Sequence, residues 1–172
     1  MNTISFETDR LFCQPIQKSD AFFILELMNT EDWLANIGDR NVHTQYQAQV
    51  YIQHKMISQF EVSGYVTFIL TRKTDTIKIG TVGLYNREGI DGIDIGFALL
   101  PEHYGKGYAF EACQQLLKLA KEKFKLQTIK AITLPSNKPS QKLLERLGFS
   151  FIKETQLPND PDVLLLYVTT LN

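Results

Sequence analysis

The sequence has little of what would place a chain in a specialised class. Only two cysteines occur in 172 residues, too few for a disulfide framework. Cys13 and Cys113 both fall in apolar-periodic segments, where buried free thiols in a reducing compartment are expected. No apolar run approaches the roughly 20 residues needed to span a bilayer, and MNTISFETDR lacks the cationic start and apolar core of a signal peptide. A cytoplasmic location without a membrane partner is the expectation. Positive charge is not in excess: the formal net charge is −1, so there is no global field to hold nucleic acid by phosphate neutralisation. The mixed run Lys118 to Lys125 alternates with Leu119, Ala120 and Phe124 and reads as a solvated helix face. None of the three histidines shows metal-ligand or triad spacing, so no metal is expected. No repeat, low-complexity tract or Gly/Pro/Ser-rich linker divides the chain.

What is present is an ordinary globular composition, 44% apolar and 22% charged, enough for one domain spanning residues 1–172 with a substantial core. A strand is expected around Phe6 to Pro15. Ser19 or Asp20 can cap a first helix carrying Phe22, Phe23, Leu25, Leu27 and Met28. Asn29 to His43 reads as irregular. Thr44 caps a second helix reaching about Phe60. Tyr65 to Thr71, Ile77 to Tyr85 and Ile93 to Leu100 read as an antiparallel meander. A glycine-bearing turn, HYGKG, opens into a long helix from Tyr108 to about Phe124, whose small-residue face suits packing on a sheet. Thr128 to Leu134 follows as a strand. A short helix then opens at Asn137 and Pro139 and stops at Gly148, where a left-handed cap is wanted. Phe149 to Thr155 and Val163 to Thr170 close the chain. This order describes a mixed α/β (α+β) sheet, not a parallel βαβ array.

The informative stretch is Asp94 to Glu111, DIGFALLPEHYGKGYAFE. A strand feeds a short loop with Gly105 and Gly107, and a helix starts at once. Backbone N–H groups and the positive end of a helix dipole then converge on one point. Glycine lets the backbone approach an anion closely, and a side chain at Gly107 is expected to fill that approach. The ligand suited to this loop is a phosphate or pyrophosphate. Neither a Walker loop nor a dinucleotide-binding fingerprint is present. GKG alone equally describes a plain strand-to-helix turn.

The segment Tyr104-Gly105-Lys106-Gly107-Tyr108-Ala109 resembles the acetyl-CoA signature of GNAT acetyltransferases, with Tyr where the family has Gln or Arg. The aromatic, and the continuation Phe110-Glu111-Ala112, are similar to the ribosomal-protein N-acetyltransferase (RimJ/RimL-type) branch. Asn137-Lys138-Pro139-Ser140 followed by Leu143-Leu144-Glu145-Arg146-Leu147-Gly148-Phe149 resembles the family's Asn-x-x-Ser/Ala helix ending in Leu-Gly-Phe. Thr8-Asp9-Arg10-Leu11 and Gly80-Thr81-Val82-Gly83-Leu84 extend the resemblance over nearly the whole chain. It implies the GNAT fold: a mixed, mostly antiparallel twisted sheet of about seven strands with four main helices. It also implies roles. The backbone of Phe97, Ala98, Leu99 and Leu100 would pair with the pantetheine arm, and Gly105, Lys106, Gly107, Tyr108 and Ala109 would cradle the pyrophosphate. Asn137 and Ser140 would face the sulfur end. Lys106, Lys138 or Lys142 can meet the 3′-phosphate or be solvated surface lysines.

The implied reaction is direct attack of a primary amine, on a peptide or protein N-terminus or a small molecule, upon the thioester of acetyl-CoA in a ternary complex. Positioning and an oxyanion donor, a backbone N–H near Phe97 to Leu99, would dominate. Deprotonating an α-amine of pKa near ~8 at pH 7 costs about 1.4 kcal/mol, against about 4.6 kcal/mol for a lysine-like amine near ~10.4. Asp94 is the first candidate for base and equally a structural acid. Glu88 and Asp91, in the preceding turn, are the other base candidates and read more as turn residues. Leu144 stands where many GNAT enzymes carry a Tyr general acid, and Ser140 can donate to the leaving thiolate instead or simply cap its helix. Trp33, Asp39 and Arg40, in WLANIGDRNV, resemble the branch's substrate-covering segment. The few strong bases turn the reading toward a low-pKa amine. A monomer or homodimer is expected. The alternative is a non-catalytic acyl-CoA-binding regulatory domain.

Overall fold

A computed structural model describes residues 4–171. The expected opening strand is divided in two. Thr8 turns the chain between β1 (Phe6–Glu7) and β2 (Leu11–Pro15): its amide donates to Leu11 O and its Oγ1 accepts from Leu11 N. After a 3-10 turn (Lys18–Asp20) comes α1 (Ala21–Met28). The stretch expected to be irregular contains a short helix, α2 (Glu31–Asn36), started by Thr30, whose Oγ1 accepts from Trp33 N. At six residues it is too short to display a periodic apolar face. Thr44 caps α3 (Gln45–Tyr51), as expected, but the helix continues through a π-helical stretch (Ile52–Ile57) into α4 (Ser58–Ser63).

The meander is β3 (Thr67–Arg72), β4 (Lys78–Asn86) and β5 (Ile93–Leu99). A crossover through α5 (Tyr108–Glu122) leads to β6 (Thr128–Thr133), which lies parallel to β5. Then follow α6 (Lys138–Arg146), β7 (Ser150–Thr155) and β8 (Leu164–Thr170). Among the described residues the sheet has eight strands in the order β1-β2-β3-β4-β5-β6-β8-β7, one more than expected because of the division at Thr8. Every neighbouring pair is antiparallel except β5–β6.

Strand alternation sends side chains into two cores. Phe68, Leu70, Val82, Leu84, Ile95 and Leu99 meet Ala112, Cys113, Leu116 and Ala120 of α5. On the other face Ile69 and Leu100 meet Ile24 and Leu27 of α1, Ala48 of α3 and Ile52. Small residues at 112, 113 and 120 let α5 lie close to the sheet, which fixes where its N-terminus emerges. Cys13 and Cys113 are both free and buried in the first core. Burial pushes the Cys13 thiol up to about 12, so it is inert at neutral pH.

Candidate active site

β5 and β6 share a single bridging pair, Asp94 with Lys130, and then diverge. The wedge between them opens into a cavity of about 820 Å³. The Leu100 amide donates to Ile79 O, on the β4 side. Backbone groups alternate sides along a strand, so the amides of Phe97 and Leu99 face the wedge. There the β5 edge carries donors and acceptors that no strand takes up, as an added strand would require.

The wedge leads to the loop before α5. Gly105 and Gly107 hold φ of +71° and +81°, a region L side chains reach only with strain. Gly107 is the N-cap, and no side chain caps the helix. The first amide of this region to find an acceptor is Glu111 N, on Gly107 O. The amides from Gly105 to Phe110 are therefore unspent, at the positive end of a helix dipole. A Cβ on Gly105 would meet nothing within 4 Å, and one on Gly107 would start 3.4 Å from Arg10 Nη2. This differs from the simple expectation at Gly107: its hydrogen faces Arg10, and the need for glycine there comes from the left-handed backbone.

The loop is fastened from behind by the β1–β2 turn. Glu111 Oε1 accepts from Thr8 Oγ1 at 2.5 Å and from Arg10 N at 2.9 Å, and Glu111 Oε2 accepts from Arg10 Nε at 2.6 Å. Arg10 Nη1 donates to Lys106 O at 3.0 Å, and the guanidinium lies 4.4 Å from the Tyr108 ring centroid. Burial works against the Glu111 carboxylate, but these hydrogen bonds prevail and hold its pKa below the ordinary value.

At the opposite end stands Asp94, 1% exposed and bonded through both oxygens to Arg87, with Nη2 to Oδ2 at 3.1 Å. Burial raises the Asp94 pKa, and Arg87 offsets this in part. The Arg87 guanidinium sits 5.5 Å from the Tyr85 ring, whose hydroxyl accepts from Thr67 Oγ1 at 3.3 Å. Tyr85 lies flat across the sheet because Gly83 and Gly96 leave it room. A Cβ on Gly83 would fall 2.7 Å from the Tyr85 hydroxyl, and one on Gly96 2.9 Å from Tyr85 Cε2. Trp33 of α2 and Arg40 also line this end, and the buried Trp33 Nε1 has no partner among the described residues. Asp32 of α2 faces Tyr104. Burial, followed by the nearby Asp32 carboxylate, pushes the phenol up to about 12.

α6 forms the remaining wall. Asn137 Oδ1 accepts from Ser140 N at 3.2 Å, so Asn137 is the helix cap, and Gly148 turns the chain afterwards at φ +88°. Ser140 lines the cavity. Leu144, one turn on, is 1% exposed and belongs to the first core. Lys142 and Arg146 of the same helix also line the cavity, and Arg146 lies 4.7 Å from the Phe110 ring.

The structure thus gathers Trp33, Arg40, Asp94, Phe97, Ala98, Leu99, Gly105, Gly107, Tyr108, Ala109, Asn137 and Ser140 around one cavity. Four expected site residues lie off its wall, among them Lys138, whose Nζ donates to Gln141 Oε1. Leu100 turns into the second core. The Lys106 side chain folds back onto Glu102 O. Asp39 accepts from Asn41 N and sits 3.6 Å from His43. Glu88 and Asp91 are exposed turn residues, and Asp91 O accepts from Lys130 Nζ. Sequence reasoning missed Arg87, whose place in a turn signals nothing. It also missed the Arg10–Glu111 pair, separated by 101 residues.

The description "Acetyltransferase (GNAT) domain" matches residues 10–150. Among curated relatives, the uncharacterized N-acetyltransferase p20 of Bacillus licheniformis is 30% identical over 145 residues, 83% of this chain and 80% of that one. Among solved structures, ribosomal-protein-S5-alanine acetyltransferase from Vibrio fischeri superposes with TM-score 0.79 at 21% identity, covering 98% of this chain and 97% of that one. RimL, a ribosomal L7/L12 α-N-protein acetyltransferase solved with coenzyme A, superposes with TM-score 0.78 at 14% identity, covering 97% and 98%. A diverging β5–β6 pair, an uncapped glycine loop and a matching domain along most of the sequence lead to one assignment: the chain belongs to the GNAT acetyltransferase family.

Proposed function

We propose that this protein is an acetyl-CoA-dependent N-acetyltransferase of the RimJ/RimL type, acting on a primary amine of low pKa such as a peptide N-terminus. The observation that carries the proposal is the continuity between the free β5 edge and the unspent amides of residues 105–110. An amide-bearing arm ending in a pyrophosphate needs those two features in that order. The likeness to ribosomal-protein acetyltransferases supports the choice of branch.

In this reading the Phe97 and Leu99 amides hold the arm and present a donor where negative charge develops on the thioester oxygen. The amides of Gly105 to Ala109 hold the pyrophosphate. Lys142 and Arg146 replace Lys106 and Lys138 as the cations for a 3′-phosphate. α2, with Trp33, covers the wedge and excludes water. Asp94 accepts the proton of the attacking amine, directly or through water, and its raised pKa moves it toward the operating range. Arg87 works against the burial and favours its ionised form. Ser140 Oγ supplies a hydrogen bond to the departing sulfur; because a thiol near ~8.5 leaves well, Leu144 in place of a Tyr is tolerable.

Calorimetric titration with acetyl-CoA and then dephospho-CoA tests the cradle. Micromolar affinity for the first, and weaker binding of the second, is expected. An amine screen by thiol release, started with short peptides, then tests transfer. Cofactor binding with no turnover on any amine would favour the regulatory-domain alternative, and failure to bind would refute the proposal.

A further inference from the structure

We infer that Arg10 is a positioning residue for the cofactor, acting through Glu111 and Lys106 to hold the pyrophosphate loop in its binding conformation; this rests on the reading of the cleft given above. The loop has little else to fix it. Its two glycines hold positive φ, and its amides from Gly105 onward have no acceptor among the described residues. A glycine-bearing loop of this kind loses much conformational freedom when it binds. One fork of Arg10 reaches both sides of it: Nε takes the Glu111 carboxylate in the first turn of α5, while Nη1 takes the Lys106 carbonyl between the glycines. Holding that carbonyl turned toward Arg10 leaves the following amide, on Gly107, turned away from it and available.

The pair also settles an electrostatic conflict. Glu111 places a carboxylate one turn from where an anion would sit. Unpaired, it would oppose a pyrophosphate; bonded to Arg10 and Thr8, it is neutralised and held on the far side of the helix end. Arg10 is itself held in place by the Tyr108 ring. The β1–β2 turn, which lines none of the cavity, thereby acts on a site about 100 residues later in the chain.

The test compares two ligands on wild type, Arg10→Ala, Arg10→Lys and Thr8→Val. Acetyl-CoA binding is measured by calorimetry. S-acetylpantetheine, which has the arm but no phosphates, is followed by the rise it causes in the unfolding midpoint. Arg10→Ala should weaken acetyl-CoA by roughly tenfold or more, since charge-assisted hydrogen bonds are lost, while the S-acetylpantetheine response stays at the wild-type level. Arg10→Lys should lose nearly as much, because an ammonium cannot span the carboxylate and the carbonyl together. Thr8→Val, which removes the hydrogen bond to Glu111 and the one accepted from Leu11 N but leaves the Arg10 fork in place, should give a smaller loss with the same ligand pattern and keeps the test open if Arg10→Ala fails to fold. Equal losses for both ligands would mean a general structural role and overturn the inference. So would wild-type affinity in Arg10→Ala or in Arg10→Lys. Absence of acetyl-CoA binding by the wild type would instead refute the functional reading beneath it.

Discussion

Replacement of Gly107 separates two explanations of why glycine stands there. The residue holds φ +81° and ψ 2°, and its Cβ would begin 3.4 Å from Arg10 Nη2, at the edge of ordinary contact distance. A steric account predicts that loss scales with side-chain size. A conformational account predicts that it scales with the cost of the left-handed backbone, about 1–2 kcal/mol for most residues, less for Asn and more for a β-branched residue. If the loop relaxes to negative φ in the free protein, that cost must be supplied on binding, and 1–2 kcal/mol corresponds to roughly 5- to 30-fold in Kd. The expected order of acetyl-CoA affinity is therefore wild type, Gly107→Asn, Gly107→Ala, Gly107→Val, with Asn within a few-fold of wild type. Gly107→Gln should fall near Ala or below it. Calorimetric titration reads the series directly. An Asn variant as weak as Val, or a Gln variant that binds like wild type, would refute the conformational argument.

Four further outcomes follow from the same geometry. Arg87→Gln removes the cation that offsets burial at Asp94, so the Asp94 pKa rises and the acid limb of the pH–rate profile moves to higher pH; an unmoved limb, or an Asp94→Asn profile identical to wild type, would leave Asp94 a structural acid. The same variant should lose stability in a denaturant titration, by less than the roughly 3–5 kcal/mol of a fully buried pair, because Arg87 is 33% exposed. The double variant Lys142→Ala, Arg146→Ala should bind acetyl-CoA and its dephospho form with equal affinity, and a surviving preference would place the 3′-phosphate elsewhere. Gly96→Ala puts a methyl group 2.9 Å from the Tyr85 ring, so the ring must lift. A loss of about 1–3 kcal/mol is expected, and the same substitution should cost less in a Tyr85→Ala background.

Much of the site could be read from the sequence because its parts are local. The Gly105–Gly107 loop, the Asn137 cap and the Gly148 stop each lie within a few residues of what they organise. What escaped the reading is held across distance or turns on direction. Arg10 and Glu111 are joined only when the first hairpin lies beside α5. Arg87 reads as one more charged turn residue until β4 and β5 pair and bring it to Asp94. Leu100 continues the strand pattern, yet alternation turns it to the second core. α2 was hidden by its length, although Thr30 with Glu31 and Asp32 after it carried the start signal. The insertion of β8 between β6 and β7 has no local signature at all.

The divergence of β5 from β6 bears on how the molecule comes apart as well as on what it binds. Five strands lie on one side of that wedge and three on the other, and along the sheet the two groups are joined by one bridging pair. α5 ties them from one face. A ligand hydrogen-bonded along the free edge of β5 would act as a seam, adding a tie along the sheet to the core that the two blocks share. Denaturation of the free protein should then be the less cooperative process, with the β6–β8–β7 block loosening first, and saturation with the ligand should steepen the transition as well as move it.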